Sequence, residues 1–168
     1  MDTGSNAMMA NPQSPTPPES PTPTPLSIRQ THGTRPLTKD TVVLVVEDNV
    51  SNFVLIARLL GYLGVHCEWK TSGYEVAEFA DSLPKVDLIL MDIRLPYEDG
   101  YGALRKIRQS PRFRNVPVIA VTAEASLEQM NKARQAGFDG FLGKPLDPDR
   151  FPDQIKRILN GESVWELS

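Results

Sequence analysis

Cysteine occurs once in the 168 residues, as Cys67. A single thiol excludes an intrachain disulfide and suits a reducing compartment. No apolar run approaches the roughly 20 residues that a membrane-spanning helix needs. The first residues are polar and Pro-rich, not basic and then apolar as in a signal peptide. A cytoplasmic protein without a membrane segment is therefore expected. Basic residues are in deficit, 18 Lys and Arg against 21 Asp and Glu, for a formal charge of −3. Residues 1–41 carry three groups of each sign, so the whole excess of acid lies on the remainder. That argues against nucleic acid as the main partner, because neutralising a phosphate backbone needs a basic surface. No repeat of fixed period is present. The seven residues after Gly161, ESVWELS, are too few for a DNA-binding or enzymatic domain.

Proline is unevenly spread. Eight of the 15 prolines lie before residue 40 (Pro12, Pro15, Pro17, Pro18, Pro21, Pro23, Pro25 and Pro36). Their neighbours are mostly Thr, Ser and Gln, with too few apolar side chains to offset the entropy of ordering. Residues 1–40 are expected to be disordered, with Pro12 to Pro25 sampling polyproline II. A passive linker is the simpler reading of this run; a ligand for a recognition module is the other. Residues 1–7, ending in Ser5-Asn6-Ala7, resemble the remnant of an expression tag. One domain of ordinary size is expected over residues 41–161. Residues 162–168 form a tail whose Trp165 packs back on it.

Within the domain, short apolar runs alternate with helical patterns. Strands are expected at Val42–Val46, His66–Lys70, Val86–Met91, Val116–Val121 and Phe138–Leu142. Helices are expected from about Val50 to Leu63, Gly73 to Leu83, Gly100 to Ser110, Ala125 to Ala136 and Asp147 to Asn160. Gly64, Gly137 and Gly161 supply stops. Five strands alternating with five helices give an α/β fold with a parallel sheet and helices on both faces.

The strand ends carry the chemistry. Strand one ends in Glu47-Asp48, strand three in Asp92, strand four in Thr122, and Lys144 follows strand five. In an open parallel sheet, ligands bind outside the carboxyl ends of the strands. Each residue also has a plain structural reading: Asp48, Asn49 and Thr122 as helix caps, Asp92 likewise, Lys144 as a surface lysine. If the ends meet, three carboxylates crowd together, and a hard cation such as Mg²⁺ relieves their repulsion. Lys144 and the Thr122 hydroxyl complete a clamp for phosphoryl oxygens, with Asp92 as nucleophile.

The segments LVVEDN, LILMDIRLP, VIAVTA and GFLGKP, in this order and spacing, resemble the response-regulator receiver domain of two-component signalling. The resemblance runs from about Val42 to Asn160. It implies a (βα)5 flavodoxin-like fold, a five-stranded parallel sheet in order 2-1-3-4-5. It implies that Asp92 is the phosphoacceptor and Asp48 the main Mg²⁺ ligand. Glu47 then holds metal-bound water, and the Arg94 backbone carbonyl binds the metal. Thr122 and Lys144 look like the phosphate-sensing pair. Ala123 offers its backbone N–H, Phe141 stands at the switch aromatic, and Pro145 stands at a proline that is often cis. Ser126, Gln129 and Glu98 depart from the usual residues, which bears on the partner surface and not on the phosphoryl chemistry.

A stand-alone receiver is thus expected. It accepts a phosphoryl group from a histidine kinase or a histidine phosphotransfer protein. It assists its own phosphorylation and dephosphorylation, and it changes its contacts with a downstream protein target. One alternative is a phosphohydrolase with an aspartyl-phosphate intermediate, although its Asp-x-Asp pair belongs after a first strand, not in Asp92-Ile93-Arg94 after a third. The other is a binding-only scaffold. The first helix is apolar almost all round. Leu55, Ile56, Leu59, Leu60 and Leu63 are expected to face the sheet. Val50, Val54, Ala57 and Gly61 form a second stripe, read as a partner-docking face or a homodimer contact. The cluster Arg105, Lys106, Arg108, Arg112 and Arg114 reads as a solvated helix face.

Overall fold

The computed structural model describes residues 36–167, with Pro12 and Pro15 besides. The chain divides into two units, residues 1–33 and 34–168, and the elements below lie in the second. The disorder, polyproline and tag readings of the first 35 residues fall, those two prolines apart, outside the described residues.

The elements follow in the order β1 (Val42–Val46), α1 (Val50–Tyr62), β2 (His66–Lys70), α2 (Val76–Ser82), β3 (Leu88–Met91), α3 (Gly100–Gln109), β4 (Val118–Thr122), α4 (Leu127–Ala136), β5 (Gly140–Gly143), α5 (Phe151–Leu159) and β6 (Trp165–Glu166), with one 3₁₀ turn at Pro111–Phe113. The strands form one sheet in the order β2-β1-β3-β4-β5-β6, and every pair is parallel. The sheet therefore has six strands and not the five expected. The extra one lies in the segment read as a tail: Trp165 and Glu166 pair with Phe141 and Leu142.

Alternation along the strands splits the core in two. Leu44, Val46, Ile89, Met91, Val118, Ala120 and Phe141 face α2, α3 and α4. Val43, Val45, Leu88, Leu90, Ile119, Val121 and Leu142 face α1 and α5. Both faces of β3 and β4 are covered, so these strands read as unbroken apolar runs.

The boundaries that differ from expectation have local causes. Strand β3 starts at Leu88 because Asp87 turns its carboxylate to the Val42 N–H at 2.8 Å. Gly73 does not open α2. It lies in a turn against the loop after β3, where a Cβ would overlap the Glu98 carbonyl oxygen. The helix begins three residues later, after Glu75 in the left-handed region at φ 55°. Helix α4 waits for Ser126, whose hydroxyl accepts from Gln129 N at 3.1 Å. Helix α5 waits until Phe151 because Asp147 closes a turn on Asp149 N at 2.9 Å. Leu55, expected to face the sheet, is instead 38 % exposed, while Ile56, Leu59 and Leu60 are buried.

The basic cluster is used internally more than a solvated face requires. Arg108 donates to the carbonyls of Phe113 and Val116 and pairs with Asp139. Arg112 donates to the carbonyls of Asp81 and Leu83, and Lys106 pairs with Glu98 at 3.1 Å. No helix among the described residues is long and apolar enough to cross a membrane.

Candidate phosphoryl and metal site

The carboxyl ends of β1, β3, β4 and β5 converge. Glu47 follows β1 directly, and its backbone N–H continues the ladder to Lys70 O at 3.0 Å. Asp92 does the same after β3, bonding to Val46 O at 3.0 Å. Carboxylate oxygens of Glu47, Asp48 and Asp92 lie within 4.8 Å of one another. Glu47 and Asp92 are buried, and Asp48 is exposed at the mouth. The helix-cap reading of Asp48 fails, because Asn49 caps α1 through Asn52 N at 3.0 Å. The cap reading of Thr122 fails too, since Ser126 fills that place for α4.

Lys144 enters from the end of β5. Its ammonium binds Asp92 Oδ2 at 2.9 Å and also pairs with Glu47. Its side chain is only 11 % exposed, so the surface reading of this lysine is excluded. Burial pushes the ammonium pKa down. Hydrogen bonds to Glu47 and Asp92, with the charges of both, outweigh burial and hold it above the usual lysine value. Lys144 is therefore charged throughout the neutral range. Its contribution to stability is lost only as pH rises through that raised value. The Lys144–Pro145 peptide is cis.

Other groups set the geometry. Arg94 N donates to Asp92 Oδ1 at 3.0 Å, which leaves Oδ2 toward Lys144. Thr122 is buried at the end of β4, with its hydroxyl accepting from Glu124 N at 3.3 Å. Ala123 is exposed beside it, and Phe141 is fully buried on the α2–α4 side of the sheet. A Cβ on Gly100 would stand 2.8 Å from Asp92 O and 2.8 Å from Ile93 Cα, so glycine is what lets α3 start this close to the acid.

Sequence reasoning missed three sets of contacts. Arg94 pairs through its guanidinium with Glu124, bridging the loops after β3 and β4. Asn49 N and Asn52 Nδ2 donate to Glu47 Oε1 at 3.2 and 3.4 Å. Trp69 Nε1 donates to Glu47 O at 2.8 Å while its ring stacks on Phe53 at 4.0 Å. Only the last had a signal: β2 pairs with β1, placing Trp69 and Lys70 beside the strand end. A cavity of about 480 Å³ between Val86, Arg114–Pro117 and Gly161–Ser163 is not part of this site.

A buried lysine between two carboxylates, with a third acid at the mouth and a threonine on the next strand, is a constellation that comparison tests directly. Residues 43–156 match the response regulator receiver domain family. The chain belongs to that family. Among similar proteins, the receiver is 36% identical over 117 residues to the polar-differentiation response regulator DivK of Brucella ovis, covering 70% of this chain and 94% of DivK. It is 40% identical over 122 residues to the signal transduction histidine-protein kinase BarA of Shigella flexneri, covering 73% of this chain. It spans only 13% of the length of BarA. A similar solved structure is the receiver domain of the sensor histidine kinase PA1611 from Pseudomonas aeruginosa, with a magnesium ion coordinated in its active site cleft. That structure has a TM-score of 0.65 and 35% identity, covering 73% of this chain and 98% of its own. Receivers are phosphoacceptor signalling domains of two-component systems and not conventional enzymes. They work through histidine kinases and downstream proteins.

The donors present here fit a hard divalent cation. They are oxygens only, at least two carry charge, and among the described residues no hydrogen bond or ion pair occupies the Asp48 side chain.

Proposed function

We propose that this receiver accepts a phosphoryl group on Asp92, with Glu47 and Asp48 holding Mg²⁺. The observation that carries the reading is the Lys144 ammonium seated between Asp92 and Glu47 while Asp48 stays open beside them. Asp92, Asp48 and, by the family resemblance, the Arg94 carbonyl and a water held by Glu47 would complete the coordination. The ion, when bound, neutralises charge on the transferring phosphoryl oxygens.

The chain's own groups do the rest. Asp92 Oδ2 is the nucleophile. Its new bond to phosphorus forms as the P–N bond of a phosphohistidine, or the P–O bond of an acyl phosphate, breaks. The electron pair leaves with the donor. The Arg94 N–H fixes the other oxygen of Asp92 and so the direction of attack. Lys144 then turns from the carboxylates to a phosphoryl oxygen. The Thr122 hydroxyl and the Ala123 N–H meet the others. The same clamp aligns water for return of the aspartate.

Incubation with acetyl phosphate tests this. Intact mass should show one added phosphoryl group with Mg²⁺ and none with excess chelator. Equal labelling without Mg²⁺ would remove the metal from the reading.

The docking face lies on α1. Val50, Val54 and Leu55 are 60, 46 and 38 % exposed, with Ala57 half-buried and Gly61 open on the same helix. This stripe starts two residues after Asp48. It adjoins a shallow hollow of about 60 Å³ lined by Asn52, Leu55, Ile56 and Lys144–Leu146. An apolar patch beside the acceptor suits a helical phosphotransfer partner. Val54→Glu should leave acetyl-phosphate labelling unchanged and slow transfer from a phosphorylated histidine phosphotransfer protein about tenfold or more, the equivalent of one lost contact of 1.4 kcal/mol. Unchanged transfer would take this face out of the docking site and leave homodimerisation through it as the reading to test.

A further inference from the structure

The segment after α5 is tied across β5 at several points. Phe141 N donates to Val164 O at 2.8 Å. A Cβ on Gly140 would stand 2.6 Å from Val164 O, and one on Gly143 would overlap Leu167 O, so only glycine admits the segment at either end of β5. Its side chains alternate. Trp165 lies under the Arg134 guanidinium of α4, 4.5 Å from its ring centre. Glu166 turns the other way to α5, binding Arg150 at 2.6 Å and also Gln154. A short strand thus clips α4 to α5 over the edge of the sheet.

Its end also touches the phosphoryl site's own backbone. The Cβ that would overlap Leu167 O on Gly143 would also stand 2.6 Å from the Ala125 methyl. Lys144 N donates to Thr122 O at 2.9 Å. Gly143–Lys144 and Thr122–Ala125 are therefore both the walls of the site and the seat of Leu167.

We propose that β6 is a latch on the edge of β5, loosened when Asp92 is phosphorylated, and that the freed edge takes a partner strand in which an aromatic residue is followed by an acidic one. The proposal rests on Asp92 being the phosphoacceptor. A phosphoryl group there draws Lys144 and Thr122 toward its oxygens, and Gly143 and Ala125 follow. A contact with no room for a methyl group cannot absorb that movement, because packed interiors respond by discrete rearrangement. The ladder that must open is two residues long, so its opening costs little. The exposed edge then offers unpaired backbone groups for strand addition. Arg134, Arg150 and Gln154 remain to select the aromatic and the carboxylate that Trp165 and Glu166 supply now.

Hydrogen exchange of the full chain in Mg²⁺, with and without beryllofluoride, tests this. Exchange at residues 162–167 and at Phe141 should rise about tenfold or more on loading, with β1 and β3 unchanged. A labelled peptide of sequence ESVWEL should bind the loaded protein about tenfold more tightly than the unloaded one. Glu166→Gln, which weakens the clip without touching the core, should raise exchange of the segment before loading. Bound fluorine signals in ¹⁹F NMR, absent from Asp92→Asn, show the site to be occupied. Their absence would overturn the phosphoacceptor reading and the latch with it. Bound signals with unchanged exchange, or equal peptide binding, would overturn the latch alone.

Discussion

Asp92→Asn is expected to abolish phosphoryl labelling while leaving the fold intact. An amide oxygen is a poor nucleophile, and no other acid takes its place in line. Asp48 is at the mouth, and Glu47 is occupied by Lys144 and by the donors Asn49 N and Asn52. The fold should survive because the amide carbonyl still accepts from Arg94 N, as Oδ1 does now at 3.0 Å. The amide NH₂ would meet the Lys144 ammonium in place of Oδ2, a loss of about 1–3 kcal/mol. Removing one of three neighbouring negative charges offsets part of it. Intact mass after acetyl phosphate treatment and urea unfolding of the same samples check both halves. Labelling of the variant equal to that of the native chain would place the acceptor elsewhere.

Lys144→Met should give the largest loss of stability at the site. The ammonium stands between side chains that are 2 % and 10 % exposed, Glu47 and Asp92. Taking away the cation leaves two buried carboxylates facing each other. Breaking a buried pair on one side typically costs about 3–5 kcal/mol. Methionine keeps most of the volume, so the loss reports charge and not a cavity. Mg²⁺ should raise the variant's stability above its value in chelator, because an ion bound only to the folded state at 100 times its dissociation constant contributes about 2.7 kcal/mol. Urea unfolding in chelator and in Mg²⁺ measures both numbers. A variant no more stable in Mg²⁺ than in chelator would mean that the carboxylates do not hold the metal.

How much of this was legible in the sequence differs from residue to residue. Asp92 was visible because β3 is covered on both faces, and Leu88–Met91 therefore stands out as an apolar run with an acid at its end. Lys144 and Thr122 were visible as polar groups at the ends of similar runs. That they meet depends on strand order, which no local pattern carries and which came from the family resemblance. β6 was not legible. Two residues have no period, and what holds them is tertiary: the bare edge of β5 at Gly140 and Gly143, and the arginines of α4 and α5. Leu55 was misplaced because α1 is apolar almost all round, so helical spacing alone gives no inner face. The starts of α2 and α5 slipped because the residues that looked like openings, Gly73 and Asp147, are held by contacts of their own. The Arg94–Glu124 bridge joins residues 30 positions apart and left no trace in spacing.

The most direct measurement is the location of the phosphoryl group. Protein labelled with acetyl phosphate and Mg²⁺, then reduced with borohydride, converts an aspartyl phosphate to homoserine, which tandem mass spectrometry places by residue. Homoserine at position 92 alone is the predicted result. Homoserine at position 48, or a label that resists borohydride, would contradict the account.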